Sequence, residues 1–246
     1  MLVLNLGSTS FKYEFFDSDL TSLSQGNFSL SASTENLQEE VNRIFRDVLR
    51  EIGDISQIQK VVHRIVHGGK DFKEPLKITS ENLSDIEKLS DLAPLHNPVN
   101  IAGIKASKEY LPEVDNWAVF DTAFFTNLPE AAKVYPIPYK YYQESSIQRF
   151  GFHGISHQFA SHQAAKEIKK DFEKINIISL HLGGGASACA IQHGQPIDIS
   201  MGYTPLEGLM MQTRSGSLDP AVVLELARQE GVEETQKILN SSSGIL

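Results

Sequence analysis

Two short segments of this 246-residue chain follow one plan. Val3-Leu4-Asn5-Leu6 runs into Gly7-Ser8-Thr9-Ser10 and resumes with Phe11-Lys12. Ile178-Ser179-Leu180-His181-Leu182 runs into Gly183-Gly184-Gly185 and resumes with Ala186-Ser187-Ala188. Each reads as strand, tight Gly/Ser turn, strand. Two such hairpins, one in each half, point to a duplicated α/β architecture with a cleft between the copies. Glycine lets backbone N–H groups approach one point closely and adopt positive φ. Successive N–H groups in such a turn form a nest for an anion. Ser8, Thr9 and Ser10 add hydroxyl donors, Lys12 adds a point charge, and Ser187 offers a hydroxyl at the second turn. Phosphate is the ligand these turns suit, although each taken singly also reads as an ordinary hairpin. The Walker A pattern is absent, and the glycines lead into strands rather than helices, unlike a dinucleotide fingerprint.

The rest of the chain alternates strand and helix patterns. Helical spacing is expected over 34–52, 80–89 (with Ser80 as a cap), 97–110, 156–169 and 220–228. Strands are expected over 2–6, 11–16, 61–66, 117–120, 175–182 and 186–191. Pro129, Pro136 and Pro138 mark an irregular connection, and 240–244 reads as a loop. The domain division expected from this pattern is 1–148, holding the first hairpin and the connection, and 149–246, holding the second. A 41% apolar, 22% charged composition supports a packed core. The net charge of −9 is a poor match to nucleic acid or an anionic membrane surface. The single cysteine, Cys189, excludes an internal disulfide and fits a cytoplasmic setting. No stretch approaches the ~18 apolar residues of a membrane span.

Charged residues in apolar or glycine-rich settings are the candidates for chemistry. Arg64 lies inside the apolar strand 61–66, so it needs a carboxylate partner or an anionic ligand. Asp121 closes the strand Ala118-Val119-Phe120, a frequent functional position in α/β sheets. The two form either a buried ion pair or parts of a site. His153 lies in Gly151-Phe152-His153-Gly154, and reads either as a core histidine or as a catalytic one. Arg214, in Thr213-Arg214-Ser215-Gly216, is placed to meet an anion. His153 and His157 are four apart, but no matching zinc motif accompanies them.

These residues fall in runs that strongly resemble the acetate kinase (acetokinase) family. The runs are Asn5-Leu-Gly-Ser-Thr-Ser-Phe-Lys12, His63-Arg-Ile-Val-His-Gly-Gly69, Ala93-Pro-Leu-His-Asn-Pro98 and Val119-Phe-Asp-Thr-Ala-Phe124. They continue with Arg149-Phe-Gly-Phe-His-Gly154, His181-Leu-Gly-Gly-Gly-Ala-Ser187, Met201-Gly-Tyr-Thr-Pro-Leu-Glu-Gly-Leu-Met-Met211 and Thr213-Arg-Ser-Gly216. The resemblance implies a two-lobed ribonuclease H-like (actin/Hsp70/sugar kinase) α/β fold. It implies reversible phosphoryl transfer from ATP to acetate, giving acetyl phosphate and ADP, with Mg2+ or Mn2+. A propionate kinase is the near alternative, and a non-catalytic remnant the distant one. By the same resemblance Asn5 sits on the metal side, and Ser8, Ser10, Lys12, His181, Leu182, Gly183, Gly184 and Gly185 contact ATP. Arg64 would hold the carboxylate substrate, with Val66, Leu95, Phe152 and Pro205 around the acyl group. Asp121, His153 and Arg214 would be catalytic. Gly184, Gln212 and Ser217 depart from the residues usual in the family (Asn, Gly and Asp). The chain is also shorter than family members. It is expected to be truncated at the C-terminus with an incomplete second lobe, to turn over little alone, and to form a homodimer when complete.

Overall fold

The computed structural model describes residues 1–7, 9–31 and 36–245. Ser8 and residues 34–35 of the first expected helix lie outside the described residues. The chain separates into two compact units, Met1–Asp121 and Thr122–Leu246. Residues 122–148, grouped with the first half on sequence, fall within the second unit.

The first unit is built on one sheet of β1 (Leu2–Leu6), β2 (Ser10–Phe16), β3 (Ser22–Ser29), β4 (Lys60–Ile65), β5 (Leu76–Lys77) and β6 (Asp115–Phe120). Among the described residues its strand order is β3-β2-β1-β4-β6-β5. The β1-β2-β3 meander is antiparallel, β1-β4 and β4-β6 are parallel, and β5 closes the edge antiparallel to β6. Helices α1 (Leu37–Ile52), α2 (Ser80–Lys88) and α3 (Asn97–Tyr110) complete the unit. Leu2, Leu4 and Leu6 of β1 and Phe11, Tyr13 and Phe15 of β2 pack with Val41, Ile44, Phe45 and Val48 of α1 and with Val99, Ala102 and Ala106 of α3. Strand side chains alternate between faces. That packing therefore turns Asn5, Lys12 and Arg64 away from the core.

In the second unit, β7 (Asn176–Leu182), β8 (Ala186–Gln192) and β9 (Gln195–Ile199) form an antiparallel sheet in chain order. α6 (Gly154–Glu167) packs on β7. Two short helices, α4 (Glu130–Lys133) and α5 (Lys140–Ser145), occupy the proline-rich stretch read as irregular. Pro129 is the N-cap of α4, where its missing N–H costs nothing. α7 (Pro220–Glu230) and α8 (Val232–Ser241) follow, and α8 runs into the segment 240–244 read as a loop. Burial of Thr235 and Leu239 on one side of α8 overrides the weak helix preference of Asn and Ser. The cap of α2 is Thr79 rather than Ser80: its hydroxyl accepts from Asn82 N–H while Asn82 Oδ1 accepts from Thr79 N–H.

Both hairpins expected from the sequence are present. Gly7 N–H donates to Ser10 O at 2.7 Å, and Gly183 N–H to Gly185 O at 3.0 Å. Their glycines do not serve by positive φ, since Gly7, Gly183, Gly184 and Gly185 lie outside that region. At the second turn the reason is space. A Cβ on Gly185 would stand 3.3 Å from the His153 ring, and one on Gly184 would stand 3.2 Å from Gln212 Oε1.

Candidate functional site

In the first unit the register does the assembly. Asn5 lies opposite Lys12 across the β1–β2 ladder, and β4 runs parallel to β1 on its other side. Arg64 Nη1 donates to Asn5 Oδ1 at 2.8 Å, while Nε donates to both Asp121 carboxylate oxygens at 3.1 Å and Nη2 to Oδ2. The Arg64–Asp121 pair left open by the sequence is therefore a side-on ion pair. Asp121 is nearly buried at 3% side-chain exposure, and Arg64 is 27% exposed. Burial opposes the guanidinium charge, but Asp121 beside it holds the Arg64 pKa above its ordinary value. Of five guanidinium N–H donors, three are used among the described residues and two remain. That is enough for one more carboxylate or phosphate oxygen pair.

Two residues of α3 fix this arrangement from behind. Asn100 accepts from Val66 N–H at 3.1 Å and donates to Leu6 O at 2.7 Å. Asn97 accepts from His67 N–H at 3.1 Å and donates to His67 O at 3.0 Å. They tie the exit of β4 to the end of β1, the strands that carry Arg64 and Asn5. Their sequence signal was the Asn97-Pro98 helix start, and nothing in that pattern reveals a buried clamp. Val66 is buried, and Leu95 is 58% exposed ahead of α3.

In the second unit, His153 is the N-cap of α6 in the left-handed region, φ 60°. Its ring stacks on His181 at 3.9 Å between centroids. The position of a Cβ on Gly185 is 3.4 Å from His153 Nε2 and 3.7 Å from Arg214 Nη1. His153, His181, Arg214 and the Gly183–Gly185 turn thus converge. Arg214 forms no ion pair among the described residues. Its one hydrogen bond, to Pro205 O, is long at 3.4 Å, and burial lowers its pKa. A half-buried guanidinium without a counter-charge, beside a turn of backbone amides, is an anion site in waiting. Phe152 is buried. Leu182 is 71% exposed, and strand alternation places it on the sheet face opposite His181. Ser187, read from sequence as a donor toward phosphate, is instead fully buried, with its hydroxyl 2.9 Å from His153 Nδ1 and 2.8 Å from His157 Nε2. Arg149 anchors the loop before His153, donating to the carbonyls of Ala132, Ile199, Ser200 and Met201 and to Glu207, which also accepts from Tyr135.

Among the described residues no three His, Cys, Asp or Glu side chains cluster as a self-sufficient metal site. Asn5 and Asp121 supply side-chain oxygens that could join a cation whose remaining ligands come from a bound ligand and water. No helix among the described residues is long and apolar enough to cross a membrane.

Fold and sites define an α/β protein with an arginine in each unit held ready for anions. The sequence profile of the Acetokinase family matches residues 24–246, and the chain belongs to that family. It is 48% identical to the acetate kinase of Thermotoga maritima over 213 residues, covering 86% of this chain and 53% of that one. The Porphyromonas gingivalis acetate kinase structure matches 99% of this chain with a TM-score of 0.84 at 35% identity. A propionate kinase structure from Francisella tularensis matches 99% with a TM-score of 0.87 at 36% identity. This chain spans 68% of each of those two structures. The fold is that of these kinases, the ribonuclease H-like class implied by the sequence resemblance.

Proposed function

We propose that the chain carries the phosphoryl-transfer machinery of an acetate kinase, exchanging a phosphoryl group between ATP and acetate to give ADP and acetyl phosphate. The observation that supports this best is Arg64, fixed in orientation by Asp121 and Asn5 and left with two N–H donors. In the first unit, Arg64 holds the acceptor carboxylate. Asp121 sets the guanidinium plane and need not take a proton, because acetate is already ionised at pH 7. In the second unit, Arg214 and His153 donate to the oxygens of the transferring phosphoryl group, where charge spreads in the transition state. Within the second unit the Gly183–Gly185 turn, His181 and Leu182 through its backbone are assigned to nucleotide phosphate, and within the first unit Lys12 is. Mg2+, held by Asn5 and Asp121 with the nucleotide, would neutralise phosphate charge.

Val66, Leu95, Phe152 and Pro205 are the residues assigned to the acyl group. An apolar surround separates acetate from propionate by only ~1–3 kcal/mol per methylene. The likeness to the Francisella enzyme keeps propionate as the second reading. The test is a chimera in which this chain replaces the matching stretch of the Thermotoga maritima enzyme, with acyl phosphate trapped as hydroxamate. Acetate should be turned over with a higher kcat/KM than propionate. Arg64→Ala and Asp121→Ala should each lower it by about 100- to 1,000-fold. Full activity in either variant refutes the assigned roles. The unfused chain should yield far less product than the chimera.

A further inference from the structure

The second unit contains a line of alternating hydroxyls and imidazoles that neither the family roles nor the anion site requires. Ser179 Oγ lies 2.9 Å from His157 Nδ1, His157 Nε2 lies 2.8 Å from Ser187 Oγ, and Ser187 Oγ lies 2.9 Å from His153 Nδ1. Ser187 is fully buried, His157 is 1% exposed and Ser179 is 7% exposed. A hydroxyl has one hydrogen. Ser187 can therefore donate to one ring, and the other ring must donate to it. If both rings donated, the Ser187 hydrogen would be buried without an acceptor. The two neutral imidazoles consequently have linked proton positions, and the line has two self-consistent arrangements.

In the first arrangement Ser179 donates to His157 Nδ1, His157 Nε2–H donates to Ser187, and Ser187 donates to His153 Nδ1. His153 then carries its proton on Nε2, the edge beside Gly185. In the second, every bond reverses. His153 Nδ1–H donates to Ser187, Ser187 donates to His157 Nε2, and His157 Nδ1–H donates to Ser179. The Ser179 hydrogen is then left over, and among the described residues Ser179 has no other side-chain hydrogen bond. Only the first arrangement uses both hydroxyl hydrogens, and an unpaired buried donor is costly.

We propose that Ser179, His157 and Ser187 form a one-way hydrogen-bond relay that presets neutral His153 as its Nε2–H tautomer, so that a donor rather than a lone pair faces the glycine turn. An acceptor-only ligand such as a phosphoryl group would meet an N–H edge there rather than a lone pair. Ser187 and His157 are in this view positioning residues. Their use in catalysis rests on the acyl-phosphate reading above, but the proton pattern does not.

The test is nitrogen NMR of the chain labelled with 15N-histidine at about pH 8, above the ordinary imidazole range. Ring signals are assigned with His153→Gln and His157→Gln. Both rings should show a protonated Nε2 and a bare Nδ1, in at least about tenfold excess over the other tautomer, as expected when the alternative strands a buried hydroxyl hydrogen. A bare Nε2 on either ring overturns the relay. In Ser187→Ala the His153 Nδ1 resonance should move toward that of an imidazole without a donor, and the Nδ1–H tautomer should gain population. An unchanged His153 spectrum overturns it too. Because the wild-type spectrum decides the proton pattern by itself, the outcome does not depend on whether the variant folds. An inactive chimera with these tautomers in place would reject the kinase reading and leave the relay standing.

Discussion

Arg64 shows how one residue can serve structure and ligand at once. Its partner Asp121 is 3% exposed, so removing the arginine strands a carboxylate inside the protein. Arg64→Ala should therefore destabilise the first unit by about 3–5 kcal/mol in urea unfolding, the usual cost of breaking a buried pair from one side. A loss under 1 kcal/mol would show that water reaches Asp121 freely. The sequence showed that Arg64 needed a partner and named Asp121 as one choice. It could not show the bond to Asn5, which comes from strand register rather than from spacing. The neighbouring His63 points to the opposite face and has a different role. Burial pushes its pKa down to about 4, opposed by its 2.7 Å hydrogen bond to Asn116. The unfolded chain, with a histidine at its ordinary value of about 6.5, then binds more protons than the folded one between pH 4 and 6.5. Stability is thus full above about pH 6.5 and falls as the pH drops toward 4, by about 3 kcal/mol for this residue. His67, also lowered to about 4 by burial, adds a similar slope. His63→Gln, which keeps an N–H for Asn116, should flatten the acid loss between pH 6.5 and 4 by roughly half. An identical slope in the variant would exclude His63 as a source.

At the scale of elements, α3 is the clearest case of a helix whose polar residues matter more than its apolar ones. Asn100→Ala would leave Val66 N–H without its acceptor and the Leu6 carbonyl without the amide that donates to it, both in the interior. The expected loss is about 2–4 kcal/mol of unfolding free energy, from one to two unsatisfied buried groups. In the active chimera, kcat should fall more than KM rises, because β1 and β4 would no longer hold Asn5 and Arg64 in fixed relation. Equal stability in the variant would mean that water takes over both bonds. A second element-level constraint lies in the loop before α6. Gly151 has φ 74°, and a Cβ there would lie 2.6 Å from the Phe125 ring and 2.9 Å from Ile199 Cγ2. Gly151→Ala thus combines backbone strain with overlap in a packed interior, and should cost about 2–4 kcal/mol as measured by thermal unfolding. Elements that bury an apolar stripe were legible in the sequence. α1 has Val41, Ile44, Phe45 and Val48 at helical spacing, and β1 has leucines at alternate positions. β3 was not, because Ser22–Ser29 is an edge strand of mostly exposed polar residues that exists by pairing with β2. β9 was missed for the same reason: its pairing with β8, not its own pattern, defines it.

For the whole molecule, the duplicated hairpin plan was legible because glycine turns and flanking strands are local features. The hydroxyl–imidazole relay was not, since Ser179, Ser187, His153 and His157 come from three elements whose packing only the fold provides. One consequence of that packing belongs to the sheet β7-β8-β9 as a unit. Ile177, Ser179 and His181 face α6, which reaches them through the hydrogen bonds His157–Ser179 and Ser156–His181. Alternation then turns Ile178, Leu180 and Leu182 to the other face, where they are 70%, 58% and 71% exposed. Their cross-strand partners there, Ala190, Ala188 and Ala186, are small and provide little cover. A row of three large aliphatic side chains on an open sheet face is a surface prone to association. Because the row is exposed, polar β-formers should be tolerated. Leu180→Thr with Leu182→Thr should change the unfolding free energy by less than about 1 kcal/mol, against the 2–5 kcal/mol typical of truncating a buried leucine. The same double variant should bind less of a hydrophobic dye and show a weaker concentration dependence in sedimentation velocity. A core-sized loss of stability, or undiminished dye binding, would show that this row is covered in solution.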